Sequence, residues 1–278
     1  MKNILIPTDF SACATDALHA GMMLAKHMGA RVHVYSRLDI PESWFSMDEA
    51  QKAAEKEALQ NIHIAEVLFE DIKKQYPDVD IETHYSGGNL IEQIQTLTET
   101  KNIDLVVMGS HGAGGKSDYF IGSNTQRVVR LVHRPVLVLK NRLEKLEFKK
   151  VVFASDFLES EKKAFLKFKN FIKHFIPEIH LLVVRTASIF EVPYVLHLEA
   201  LEEYKKLCYP FECKTHIYKD FSVKKGVLTF ADEIGADLIA ISNHERHPLK
   251  RMLAGSNVEA LVNHAKVPVL TIDYPPEA

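Results

Sequence analysis

The chain has 278 residues, 46% of them apolar, and its 34 Lys and Arg nearly balance its 37 Asp and Glu for a net charge of −3. That length can bury one large core or two ordinary ones, and the even charge excludes a general electrostatic drive toward nucleic acid or an anionic membrane. Three scattered cysteines (Cys13, Cys208, Cys213), no leader pattern after Met1-Lys2 and no apolar run near the roughly 20 residues of a membrane span point to a reducing, cytoplasmic location.

The first predicted element is a strand near 3–7, closed by Asp9, with Ser11 as the N-cap of a helix whose apolar face is Ala14, Ala17, Leu18, Gly21, Ala25 and Met28. A strand near 31–36 follows, then a long helix on Ala58, Ile62, Ala65, Phe69 and Ile72. A strand near 79–84 leads through Gly87-Gly88 into a helix marked by Leu90, Ile91, Ile94 and Leu97. The run Asp104-Leu105-Val106-Val107-Met108 reads as a buried strand, followed by GSHGAGGKSDYFIGS from Gly109, a helix over Ser123 to Val132 and a strand at 135–139.

The pattern then repeats. Ile4 to Phe10 matches Val151 to Phe157 at an offset of 147; Asp104 to Met108, Gly122-Ser123-Asn124 and Arg134 to Leu139 match Asp237 to Ile241, Gly255-Ser256-Asn257 and Val267 to Ile272 at an offset of 133. The second copy is therefore 14 residues shorter between its first and fourth strands. A shorter second helix, around Glu199 to Leu207, accounts for the difference. Its first helix has Ala164, Phe165, Phe168, Phe171, Ile172 and Phe175 inside, and the lysines between Lys162 and Lys173 form a solvated face.

Strands alternating with helices predict an α/β fold: two tandem doubly wound, Rossmann-like domains, residues 1–142 and 147–278, each a five-stranded parallel sheet with helices on both faces. With strand order 3-2-1-4-5, strands one and four meet at the switch point, and Asp9 and Gly109 face one crevice beyond their carboxyl ends. Gly109 and Gly112 let backbone approach a ligand closely, while Gly122 and Ser123 open a helix whose N–H groups suit phosphate. Asp9 reads either as a local loop carboxylate or as a handle on a base, ribose or Mg²⁺. Gly87-Gly88 also reach this edge, though a tight turn explains them equally well. Asp104 and Asp237 lie at the opposite edge and read as structural.

In register, Ser242 and Glu245 replace Gly109 and Gly112 in the second copy, so a nucleotide is not expected there. Gly114-Gly115-Lys116-Ser117 fails as a P-loop because position 110 is serine and the helix starts too late; G-x-G-x-x-G fails because position 117 is serine. Neither His244, Glu245, His247 and His264 nor Cys208, Cys213 and His216 have metal-site spacing, so no metal site is expected. There is no G-x-S-x-G elbow, and His111 reads as shaping its turn rather than as a base.

These residues reach a known pattern. Gly109, Gly112, Gly122 and Ser123 fit G-x2-G-x9-G-[ST], and with Ile-Leu-Ile-Pro-Thr-Asp-Phe-Ser at the start and Arg-Pro-Val-Leu-Val-Leu at the end of the first copy, the chain resembles the universal stress protein family, in its tandem two-domain form. The resemblance implies an adenine nucleotide (ATP, or ADP or AMP, with Mg²⁺ as an accompanying ion) in the first copy. Its base lies toward Asp9 and its phosphates toward the Gly122-Ser123 helix end. The candidate contacts are Asp9, Gly88, Met108, Gly109, His111, Gly112, Gly122, Ser123 and Asn124. It also implies an internal pseudo-dimer through the fifth strands, a protein partner and a homodimer as further contacts, and no nucleic acid or membrane. Asp220 stands roughly where the first copy has Gly88, and no nucleotide contact is carried over to that half. The expected function is an ATP-binding regulator in the stress response, with no catalytic residue assigned. The alternatives are a slow ATP hydrolase and an interaction scaffold without nucleotide.

Overall fold

The computed structural model describes residues 1–111, 121–157, 159–186, 193–242 and 257–273. The N-terminal half runs β1 (Asn3–Pro7), α1 (Ala12–Met28), β2 (Arg31–Arg37), α2 (Glu49–Ala54), α3 (Lys56–Gln75), β3 (Ile81–Ser86), α4 (Leu90–Thr100), β4 (Leu105–Gly109), α5 (Ser123–Leu131) and β5 (Val136–Leu139). The C-terminal half runs β6 (Lys150–Ala154), α6 (Lys162–Ile172), β7 (Glu178–Arg185), α7 (Tyr194–Leu207), β8 (Cys213–Lys219), α8 (Val223–Ile234), β9 (Leu238–Ser242), α9 (Asn257–His264) and β10 (Val269–Ile272).

All ten strands join one sheet in the order β3-β2-β1-β4-β5-β10-β9-β6-β7-β8. Each half thus has the order 3-2-1-4-5, and within each half neighbouring strands are parallel. Among the described strands only β5 and β10 pair antiparallel, at Leu137 with Leu270 and Val138 with Val269. Leu137 and Leu270 are the same position of the repeat, so a local two-fold axis passes between them. Gln126 and Glu259 are likewise equivalent, and the Gln126 amide donates to the Glu259 carboxylate at 2.5 Å across that axis. This is the isologous contact of a symmetric dimer, made inside one chain.

Two apolar layers cover the sheet. One holds Ile6, Leu18, Leu24, Phe69, Phe153, Phe165, Phe168 and Tyr204; the other holds Leu5, Ile94, Val128, Val152, Phe230 and Leu261. Residues of both halves share each layer, with Leu137, Leu139, Leu270 and Ile272 bridging the seam in the first. Each fully buried Leu, Ile or Phe contributes about 1.5–3 kcal/mol relative to exposure.

Helix α1 starts at Ser11, whose hydroxyl accepts from the Ala14 N–H at 3.3 Å, and stops at Gly29 in the left-handed region. It lies close on the sheet because Gly21 faces Ile6, where an added Cβ would come within 2.3 Å of Cδ1. In the second half, α6 fills the same layer with Phe165, Phe168 and Phe171 in tilted and edge-on contact around Phe153 and Phe148. Asp104 takes the N–H groups of Lys2 and Asn3, and Asp237 those of Lys149 and Lys150, as expected of structural residues at the strands' amino edge.

Three details differ from the sequence reading. The long second helix of the first half is preceded by a separate turn of helix, α2, with Glu55 between them outside helical geometry. The third strand runs to Ser86 because Pro77 to Asp80 form the preceding turn, closed by Val79 N–H to Tyr76 O at 3.2 Å. In the second half α7 begins at Tyr194, just after Pro193, which cannot donate a helical hydrogen bond.

Strands two and three of each half carry a stacked cross-strand histidine pair: His33 with His84, and His180 with His216. Burial holds the His180 and His216 imidazoles below the ordinary histidine range, against the upward pull of the Glu178 carboxylate and with Lys214 reinforcing the shift. In that situation the unfolded chain binds more protons than the folded one as pH falls. The stability is therefore intact above the unfolded value of about 6.5 and declines as pH drops through the folded values. The urea midpoint should be flat from about pH 8 to 6.5 and decline below, and His216→Asn should reduce that slope. A midpoint that rises on acidification contradicts this.

Candidate functional site

The carboxyl ends of β1 and β4 lie side by side, and a cleft of about 480 Å³ opens between them. Pro7, Thr8 and Asp9 form one wall, Met108, Gly109 and His111 another, and Gly122, Ser123, Asn124 and Thr125 a third; Ala14, Arg37 and Leu90 complete it.

Asp9 is aimed by an unusual turn. Phe10 has φ 58°, in the left-handed region that non-glycine residues seldom enter. Two features offset that cost: the Thr8 hydroxyl accepts the Phe10 N–H at 3.0 Å, and the Phe10 ring packs on Phe69 at 5.6 Å. Asp9 is exposed and accepts the Ser11 N–H at 3.1 Å. The second half builds the same turn, with Phe157 at φ 56°, its N–H on the Ser155 hydroxyl at 3.0 Å and its ring against Tyr204.

Gly109 must be a glycine for packing. A Cβ there would stand 2.6 Å from the Cys13 Sγ and 2.7 Å from the Cys13 carbonyl oxygen, so α1 and β4 could not meet. Where Ser242 takes the equivalent place, the chain after β6 starts with a 3₁₀ turn, Glu159–Glu161, and α6 begins only at Lys162.

The ends of the glycine-rich segment are tied together. Ser110 N–H donates to Leu139 O at 2.8 Å, Gly122 N–H to Ser110 O at 2.7 Å, and the buried Thr125 hydroxyl to Gly109 O at 2.8 Å. The other half adds a brace: the Asn263 side chain accepts the Ile121 N–H, and Lys140 donates to the Asn263 carbonyl at 3.1 Å. Gly122 caps α5 with an extended backbone and no side-chain hydrogen bond, and the first turn of α5 contains no acidic residue. No carboxylate of that turn therefore offsets the positive helix end that faces the cleft.

Of the sequence candidates, Asp9, Met108, Gly109, His111, Gly122, Ser123 and Asn124 line this one cleft. Gly112 lies outside the described residues, as do Lys116, Glu245 and Gly255-Ser256. Gly88 does not line the cleft. Its φ of +76° and its approach to the Glu42 side chain, 3.1 Å from an added Cβ, account for the glycine by the turn alone. The strand registers, Tyr35 with His84 and Leu182 with His216, align Gly88 with Asp220, in agreement with the sequence alignment.

Sequence reasoning missed two contributors. Thr125 is the latch that holds α5 to the end of β4. Arg37, exposed at the end of β2, puts a cation at the cleft two strands from β4, about 10 Å across the sheet. A signal for Arg37 was present: by the switch-point argument the last residue of β2 reaches the same edge as Asp9.

The equivalent cleft of the second half is smaller, about 300 Å³, and chemically different. Ala14, Arg37, Gly109 and Thr125 become Glu161, Val184, Ser242 and Val258, while Asp156 matches Asp9. It is lined by two carboxylates, and neither Lys nor Arg is among its described lining residues. An anion is disfavoured there.

Comparison with known proteins places this architecture. The model of the universal stress protein family matches residues 1–140 and 147–273. Universal stress protein Slr1230 of Synechocystis sp. is 22% identical over 301 residues, spanning 98% of this chain and 99% of its own. Universal stress protein MJ0531 of Methanocaldococcus jannaschii is 31% identical over 149 residues, spanning 50% of this chain and 82% of its own. The crystal structure of a universal stress protein from Archaeoglobus fulgidus shares the fold with a TM-score of 0.75 at 20% identity, covering 99% of this chain and 97% of that one. Among the described residues no helix is long and apolar enough to cross a membrane.

Proposed function

The chain belongs to the universal stress protein family, and from that premise we propose that its N-terminal cleft holds an adenine nucleotide (ATP, ADP or AMP) while the C-terminal cleft holds none. We take residues 1–142 and 147–278 as the two domains, acting in the cytoplasm as a nucleotide-binding regulator of the stress response. The observation that carries the reading is the contrast between equivalent clefts. One has an uncapped helix end, a glycine at the close approach and an arginine; the other has Glu161, Ser242 and Val184 at the matching places.

Phosphates belong beside Gly122, at the Ser123 and Asn124 N–H groups, because the first turn of α5 holds no carboxylate of its own. The base and ribose then lie over the ends of β1 and β2, between Asp9 and Arg37, with Met108 beneath. A guanidinium stacks well on a heteroaromatic plane, and a carboxylate accepts from ribose hydroxyls or a base amine. Asp9 is also the carboxylate through which Mg²⁺ would be held. The Ile121 end of the cleft is braced by Asn263 of the other half. This links the ligand to the shared seam and to the surface a protein partner or second copy would read.

Titration calorimetry of the purified chain with ATP, ADP and AMP tests the proposal. Saturable binding at one nucleotide per chain is expected, with turnover far below the ordinary enzyme range of about 1 s⁻¹ and above. No saturable binding makes the chain a scaffold; turnover within that range makes it a hydrolase.

A further inference from the structure

We propose that His33, His84 and Glu82 form a binding site for a divalent transition-metal ion, Zn²⁺ foremost, between β2 and β3. This site is separate from the nucleotide cleft. His33 precedes Arg37 by four residues along β2, about 13 Å at the strand rise.

The ligand atoms already converge. His33 Nδ1 lies 3.0 Å from His84 Nε2, and Glu82 sets Oε2 3.5 Å from His33 Nδ1 and Oε1 3.7 Å from His84 Nε2. Tetrahedral zinc with bonds of about 2.0–2.1 Å sets its ligand atoms about 3.3–3.4 Å apart, so the two histidine nitrogens need part by only about 0.4 Å while the carboxylate turns one oxygen toward both. Two imidazoles, one carboxylate and a fourth position for water are a borderline donor set suited to zinc and its neighbours rather than to Mg²⁺ or Ca²⁺. His33 is buried, whereas the His84 and Glu82 side chains are 17% and 36% exposed, which gives an ion an approach from the sheet edge. Burial keeps both imidazoles below the ordinary histidine range, so their lone pairs are available at neutral pH.

The second half supplies an internal control. It repeats the pair, with His180 Nδ1 3.0 Å from His216 Nε2, but its charges are inverted. Where the first half has Arg31 on strand two and Glu82 on strand three, the second has Glu178 and Lys214. Glu178 therefore meets His180 at Nε2, at 2.5 Å, on the far side of the ring from His216. That arrangement satisfies both ring nitrogens and presents no three-ligand cluster. In the first half the carboxylate is moved to the side of the histidine contact, and His33 Nε2 is buried without a hydrogen-bond partner among the described residues. The hydrogen-bonded solution has been given up for one with ligand geometry. Lys101 competes for the site, its ammonium standing 2.6 Å from Glu82 Oε1. An incoming dication must displace it, and Lys101, at the exposed end of α4, has a flexible stem that permits this.

The test uses the full, untagged chain after chelator treatment, titrated with Zn²⁺ against a chromophoric chelator and with Co²⁺ as a spectroscopic probe. The expected result is one tight Zn²⁺ per chain and the intense visible absorption of tetrahedral Co²⁺. His84→Ala and Glu82→Gln should each weaken Zn²⁺ at least about tenfold, the range for loss of a metal-site group. Lys101→Met should tighten it, and His216→Ala should leave it unchanged. Glu82 is part-exposed, so Glu82→Gln keeps the test decisive if His84→Ala fails to fold by circular dichroism. No saturable Zn²⁺ binding, an unaffected Glu82→Gln variant, or loss of the site in His216→Ala overturns the proposal.

Discussion

Gly122→Asp is expected to weaken ATP binding by at least about a hundredfold while leaving the thermal midpoint unchanged or slightly higher. The two effects separate because Gly122 sits at the N-cap of α5 with φ −62° and ψ 145°, a conformation any L-residue adopts. Aspartate is among the best N-cap residues and gains a few tenths of a kcal/mol over glycine there. The carboxylate that improves the cap also takes the N–H groups a phosphate would use and sets a negative charge against it. Repulsion grows with the charge of the ligand, so the loss should be graded ATP > ADP > AMP. Calorimetry with the three nucleotides, alongside a melting curve, measures both halves. Undiminished ATP affinity in a folded Gly122→Asp variant contradicts the placement of the phosphates.

Arg37→Val, which installs the residue of the second half at the equivalent place, is expected to weaken ATP, ADP and AMP alike, by about tenfold. The uniformity is the point. Arg37 ends β2, two strands from β4 and α5, too far for the terminal phosphates and in place for the base. A guanidinium held over a base contributes the same to every adenylate, and Arg37→Lys should recover only part of it because an ammonium does not stack. If the loss instead follows phosphate number, Arg37 is a phosphate ligand and the nucleotide lies the other way round.

Much of the fold was legible because the chain states it twice. The strand-end pairs Asp9 with Asp156 and Gly109 with Ser242 could be aligned by eye, and the 3-2-1-4-5 order puts Asp9 and Gly109 at one crevice. The seam through β5 and β10 agrees with the expected internal pseudo-dimer. What stayed hidden depends on partners distant in sequence. Nothing local marks Phe10 as left-handed, since its strain is offset by Phe69 on another helix. Nothing local marks Thr125 as a latch, since its acceptor is the Gly109 carbonyl on β4. Asn263 braces the first cleft from the second domain, a contact that exists only once the halves have paired. Gly88 has a local explanation that needs no ligand. A glycine at the ligand edge of the sheet invites a binding role, but its positive φ and the nearby Glu42 account for it. His33, Glu82 and His84 have no shared spacing in the sequence, since they come together only through the pairing of β2 with β3.

The claim at the centre is that two equivalent clefts have diverged, one toward an anion and one away from it. A crystal structure of the chain grown with a saturating adenine nucleotide tests it most directly. The account predicts one nucleotide per chain, its phosphates beside Gly122 on the backbone N–H groups of Ser123 and Asn124 and its base beside Arg37. A nucleotide seated instead against Asp156, Glu161 and Ser242, or equal occupancy of both clefts, would contradict it.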